Sequence, residues 1–206
     1  CRRYASALLR ESAGRGTISS MSDTLQGKLL VAMPGMSDPR FDRTVIMMCA
    51  HDAEHAMGVV INKPKQELTL SEVLEHLGLE ADDAMADRIV LDGGPVRPDR
   101  GYVLHSEDFA AGDATQDVGP GIRLTATRDV LAAVAGHEAP ERFLLALGCA
   151  GWGAGQLEDE LKHNAWLVVD ADNAIIFSEE HGDKWEAAIK TLGFEPSQLM
   201  GDGSRA

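Results

Sequence analysis

The chain has no apolar run approaching the roughly 20 residues needed to cross a bilayer. Its longest runs, such as LLVAM and FLLAL, are strand-sized. It has only three cysteines, at positions 1, 49 and 149, and no CxxC pair, which excludes a disulfide framework and the tandem cysteine signature of a structural zinc site. Cys49 and Cys149 stand beside apolar runs, as reduced thiols in a cytoplasm would. The first twenty residues lack the continuous apolar stretch of a secretory signal. Basic residues are scattered, with no block of like positive charge, and there is no internal repeat or low-complexity tract. These absences point to a cytoplasmic protein without membrane contact.

What the chain does have is 206 residues, 44% of them hydrophobic, enough to bury a sizeable core. Residues 1–20 are basic and Ser/Arg-rich and precede MSDTLQGKLLVAMP, so Met21 is a natural start. The expectation is a non-globular extension over 1–20, with a transit peptide as the alternative, one domain over 21–200, and a frayed tail over 201–206. The extension holds four arginines and one glutamate, a net +3, which leaves −17 of the formal −14 on the remainder. Such a surface repels phosphate backbones and anionic lipid, which disfavours direct nucleic-acid binding.

Alternating and periodic patterns divide the chain. GKLLVAMPGM is a strand stopped by Pro34 and Gly35. TVIMMCA (44–50) and AMGVVIN (56–62) flank the polar HDAEH as a hairpin, the second strand ending at Pro64. Thr69 and Glu72 form a capping box for a helix through Leu70, Val73, Leu74 and Leu77, stopped by Gly78. RIVLDGGP is a strand with GYVLHS as its partner, and DFAAGDATQDVGPG is loop. GIRLTAT is a strand and TRDVLAAVAG a helix between Thr127 and Gly136. RFLLALG is a buried strand, GQLEDELKHN a helix, AWLVVDAD and AIIFS a strand pair, and DKWEAAIKTLG the last helix. Strands outnumber helices and several pair as hairpins, so the fold class is α+β rather than a doubly wound parallel sheet.

The stretch GCAGWGAGQLEDELKHNAW (148–166) raises the question of chemistry. It lacks the Lys-Ser or Lys-Thr of a P-loop, and Gly151, Gly153 and Gly155 fall at GxGxG rather than GxGxxG spacing. Glu158, Asp159 and Glu160 in the first helical turn would repel a phosphate. Cys149 stands where the strand turns toward the helix, but Leu147 occupies the position where a nucleophile elbow needs glycine, and nearby carboxylates would raise the thiol pKa. The reading favoured is structural: glycines allow positive φ and close approach, Trp152 fills a gap, and Gln156 or Glu160 satisfies loop amides. Cys49, His51 and His55 make C-x-H-x3-H, with His105 or Asp52 as a possible fourth ligand, but hairpin-tip histidines are usually solvated, so no metal and no cofactor is expected. His105, beside Ser106, is an acid/base candidate by residue type.

Four motifs in order then bring a resemblance. LVAMPGMSDPRFDRTVIMMCAHD, AMGVVINKP, LDGGPVRPDRGYVLHS and GCAGWGAGQLEDELKHNAWLVVDAD together resemble the YqgE/AlgH family of bacterial proteins, from about Leu25 to the last helix. The resemblance implies a single α+β domain, mostly an antiparallel bifurcated sheet forming a pseudo-barrel with flanking helices. It also implies a cytosolic protein labelled a transcriptional regulator, with no established catalytic residues. The family usually has tyrosine at Cys149 and glycine at His55, which sets both aside from a shared mechanism. No two-helix unit with a basic second helix is present to enter a major groove. The function expected is therefore an indirect regulator that binds an unknown small molecule or protein, in a cleft where Pro34, His51, Asn62, Gly94, His105, Trp152 and Gln156 meet. The alternative is an enzyme using His51 or His105 as acid/base, or the Cys149 thiol.

Overall fold

The computed structural model describes residues 24–36, 38–80, 85–136 and 138–200. The expected extension over 1–20, Met21 and the tail over 201–206 lie outside the described residues. Strand β1 (Lys28–Ala32) is apolar at four successive positions because both of its faces are covered: Leu29 and Val31 point into one core, Leu30 and Ala32 into another. It pairs antiparallel with β2 (Val45–His51), which continues into β3 (His55–Val60) as the expected hairpin. Asp52 closes the turn by accepting from the backbone N–H groups of Glu54 and His55.

At Pro64 the structure departs from the sequence reading. A strand opens there, β4 (Pro64–Thr69), paired with β5 (Ile89–Asp92). Proline at the first residue of an edge strand gives up no ladder donor, so it begins this strand as well as ending the run before it. Helix α1 (Leu70–His76) follows as expected, the Thr69 N–H donating to Glu72 Oε2 at 2.8 Å. Strand β6 (Val96–His105) contains GYVLHS, yet it does not pair with β5. The long β9 (Phe143–Gly153) lies between them, parallel to β5 and antiparallel to β6.

The stretch expected as loop contains β7 (Thr115–Gly119), a hairpin partner of β8 (Ile122–Thr125). Only Val118 of β7 is buried, too little for an alternating signal. Helix α2 (Arg128–Ala135), α3 (Gln156–Lys162) and β10 (Trp166–Asp170) stand where the sequence put them. AIIFS is not a strand. It begins as one helical turn, α4 (Asn173–Ile176), because Asp172 Oδ1 accepts from the Ala174 N–H at 2.7 Å and fixes a cap. Helix α5 (Lys184–Lys190) is followed by a further helix, α6 (Pro196–Met200), beyond the one expected to be last.

The sheet runs β10-β1-β2-β3-β9-β6-β8-β7, antiparallel throughout that path. It forks at β9: Ala146 and Leu147 pair with β5, while residues 150–153 pair with β3 on the same side. The far strand β7 curls back toward β2, where the Gln116 side chain donates to the Cys49 carbonyl and Gln26 donates to the Asp117 carbonyl. This α+β half-barrel encloses Leu29, Met47, Cys49, Leu104 and Val118, with α4 and α5 packed on it. A second core lies under α3 on the opposite face of β1 and β2, and a third lies under α1 and α2.

Candidate functional site

The glycine-rich stretch is mostly strand. β9 continues through Gly148, Gly151 and Gly153, and the turn into α3 is confined to Ala154 and Gly155, whose φ is +73°. Cys149 therefore sits inside the strand, not on a corner. Gly148 and Gly94 are required by each other: a Cβ on Gly94 (φ +137°) would sit 2.4 Å from the Cys149 carbonyl carbon, and one on Gly148 (φ +78°) 2.2 Å from the Gly94 oxygen. Two backbone segments cross there at a separation that only glycine allows.

Behind the turn, one carboxylate ties the corner together. Glu160 Oε2 accepts from the indole N–H of Trp152 at 2.9 Å and from that of Trp166 at 2.8 Å. The two rings meet edge to face with centroids 6.2 Å apart, and Phe41 meets Trp166 the same way at 5.7 Å. Gln156 donates to Glu160 Oε1 and accepts from the Gly153 N–H. The sequence named these two side chains for loop amides. Gln156 does serve the Gly153 amide, whereas Glu160 serves the two indoles instead.

His51 joins the same face for a reason that strand alternation hides. A bulge between Met48 and Ala50 shifts the register against β3, so that Cys49 stays in the half-barrel core while His51 pairs with Ala56 on the α3 side. The C-x-H pair thus points to opposite faces, where regular strand alternation puts such a pair on one face. His51 Nε2 lies 2.7 Å from Glu158 Oε1, and its Nδ1 accepts from the Leu25 N–H at 3.0 Å, which places the ring proton on Nε2. Backbone and His51 contacts hold the Glu158 carboxyl below its ordinary range. His55 pairs instead with Asp52. Among the described residues no three His, Cys, Asp or Glu side chains converge as metal ligands.

His105 is fully buried. Its Nδ1 faces the Ser106 carbonyl at 2.8 Å, which can only accept, so Nδ1 carries the proton. Nε2 then accepts from the Thr125 hydroxyl at 2.9 Å, which in turn accepts from Thr115. Burial pulls the imidazole below its ordinary value, and the nearby Arg123 adds to this against the Ser106 carbonyl and Asp108. Ser106 Oγ donates to Asp108, away from the imidazole. The sequential His-Ser-x-Asp is a loop anchor, not a relay.

The seven cleft candidates do not meet in one place. His51, Trp152 and Gln156 share the α3 face, and Pro34 lies in the turn leading to Met36 and Phe41 on that face. Asn62 bridges the entry to β2, accepting from the Val45 N–H and donating to the Arg43 carbonyl, each at 2.8 Å. Gly94 lies against Cys149, and His105 sits at the other end of β6. Two shallow concavities, of 290 and 590 Å³, are lined by none of the seven. The Cys149 thiol donates to the Tyr102 hydroxyl at 3.7 Å. Burial raises it above its ordinary range, while Tyr102, Arg100 and Arg97 pull it down. The direction matches the sequence expectation, but the cause is burial and not the acidic turn.

Comparison with known proteins follows the same architecture. A family model described as AlgH-like matches residues 29–197. The chain belongs to the AlgH-like family. It is similar to a UPF0301 protein of Caulobacter vibrioides, 49% identical over 183 residues, covering 88% of this chain and 94% of that one. A UPF0301 protein of Methylocella silvestris is also 49% identical, over 86% and 90% of the two chains. The solution structure of the AlgH protein from Pseudomonas aeruginosa superposes with a TM-score of 0.74 at 39% identity, over 92% of this chain and all of that one. A Corynebacterium diphtheriae protein with 18% identity and a TM-score of 0.68, over 84% and 90% of the two chains, shares the fold alone.

Proposed function

We propose that this AlgH-like chain is a cytoplasmic, non-catalytic regulator that acts by binding a protein or small ligand and does not contact DNA. One observation carries the reading: the groups that sequence marks for chemistry are spent on the fold. His51 and His105 each use both ring nitrogens, Asn62 uses both amide atoms, and the Cys149 thiol is buried against Tyr102. The charge supports the second half of the proposal, since none of the described helices carries more than two Lys or Arg residues. Contact is placed on the ledge over the tryptophan pair, where Gly153, Ala154, Gly155 and Gln156 are exposed.

The test pairs a low-salt gel shift on duplex DNA, where non-specific binding is strongest, with capture on immobilised full chain. Proteins and small molecules in the eluate are identified for the wild type and for Ala154→Arg, which fills the ledge. The expected outcome is unshifted DNA and a species retained by the wild type and lost from the variant. Retarded DNA, or the same eluate from both chains, contradicts the proposal.

A further inference from the structure

Between Val96, which pairs with Cys149, and Gly101, which pairs with Leu147, β6 loses register with β9. Arg97, Pro98, Asp99 and Arg100 stand there opposite Gly148 alone. The excursion is held in place: Pro98 Cα would lie 3.3 Å from a Cβ on Gly148, and Arg97 is fixed at φ +52°, a left-handed backbone that arginine rarely adopts. Strained backbone held by surrounding packing is a recurrent mark of functional loops.

Several of the chain's other cations are engaged. Arg40 and Arg123 pair with Asp38 and Asp117, Arg88 with Glu179, and Arg128 donates to the Leu77 carbonyl. Among the described residues, no ion pair or hydrogen bond uses the guanidinium of Arg97 or Arg100, in a chain with 33 carboxylates for 19 Lys and Arg. Arg100 lies over the Tyr102 ring at 5.5 Å. Outside the Tyr102–Cys149 pair itself, the leading charges at both groups are these two guanidiniums. Arg97 and Arg100 thus flank Asp99 in one four-residue excursion, next to the largely buried Tyr102, whose hydroxyl accepts from the Cys149 thiol.

From this geometry we infer that residues 97–102 form an oxyanion site for a small phosphorylated ligand, with Arg97 and Arg100 as the charged donors and the Tyr102 hydroxyl as a neutral one. A phosphoryl group matches paired guanidiniums because it presents several acceptor oxygens and two negative charges. In the sequence the pair reads as two more scattered basic residues. The break in register puts them in one excursion. The site is separate from the ledge beside α3, so either proposal can fail without the other.

The probes are inorganic phosphate and glycerol phosphate, titrated into the full chain at constant ionic strength with chloride as the balancing ion and followed by amide chemical shifts. Saturable shifts at residues 97–102 are expected. Arg100→Gln should weaken binding by about tenfold or more. Arg97→Gly is the second variant: it removes the guanidinium and relieves the left-handed backbone, so it should melt no lower than the wild type while binding equally poorly. Arg128→Gln, on α2, should bind as the wild type does. Tighter binding of glycerol phosphate identifies a phosphomonoester as the ligand, and equal binding identifies free phosphate. Linear, non-saturating shifts, or saturation unchanged in both arginine variants, would overturn the site.

Discussion

Glu160→Ala should lower the unfolding free energy by roughly 3–5 kcal/mol. The magnitude follows from what the carboxylate does: it accepts two indole N–H groups whose rings are buried. Stranding a buried donor costs roughly 1–3 kcal/mol, and hydrogen bonds to a charged acceptor lie at the upper end of the usual range. Truncation also frees Gln156, which loses its hold on Glu160 while it supports the Gly153 amide. Glu160→Gln keeps an acceptor oxygen near the indoles and should cost only about 1 kcal/mol. Urea unfolding checks this directly, with a shift in midpoint at unchanged slope for both variants. A Glu160→Ala midpoint within error of the wild type would mean that the corner does not depend on this carboxylate.

The second large effect is a dependence on alkaline pH. Lys184 is 1% exposed, and among the described residues its ammonium meets the Ile61 and Ile176 carbonyls and no carboxylate. Burial alone pulls its pKa from 10.5 to about 8. Between those values the unfolded chain holds a proton that the folded chain has released, so the Lys184 contribution to stability rises with pH across this window. Below about pH 8 the full cost of the buried charge is present. Each unit is worth about 1.4 kcal/mol, so the whole window amounts to about 3 kcal/mol. His181, which feels the Lys184 charge, is itself held below its ordinary value, mainly by burial. Lys184→Met lacks the effect, so the wild type should gain on the variant by up to about 3 kcal/mol between pH 8 and pH 10.5. Parallel stability curves for the two chains would show that the ammonium is not desolvated.

Much of the fold was legible where signals are local. The LLVA and VIMM runs, the Thr69 and Glu72 box, and the Thr127 and Gly136 bounds of α2 each lie within one turn or one strand. What was not legible depends on partners distant in sequence. β5 and GYVLHS look like neighbours until β9 comes between them, and Val118 alone could not announce β7. The apolar run IIF reads equally as strand or helix, and only the Asp172 cap decides it. At the site, the bulge beside Cys49 leaves no trace in VIMMCAH, because both faces of that strand are apolar. His105 invites an acid/base reading by type, but Thr125 and Thr115, which commit its ring, come from other strands. Lys184 sits among the polar positions of an ordinary amphipathic helix, and nothing near it in sequence marks it as buried.

Side chains with reactive chemistry serve here as structural parts, and the His105 ring shows whether they do. Nitrogen-15 spectra of the imidazole, recorded from about pH 8 to about pH 5.5, read both tautomer and charge at this one residue. The expected result is a neutral ring at pH 8 with its proton on Nδ1, as the Ser106 carbonyl and the Thr125 hydroxyl dictate, and a charge gained only below the ordinary histidine value. A ring that carries its proton on Nε2, or that titrates at or above the ordinary histidine value, would contradict the claim and return His105 to the candidates for catalysis.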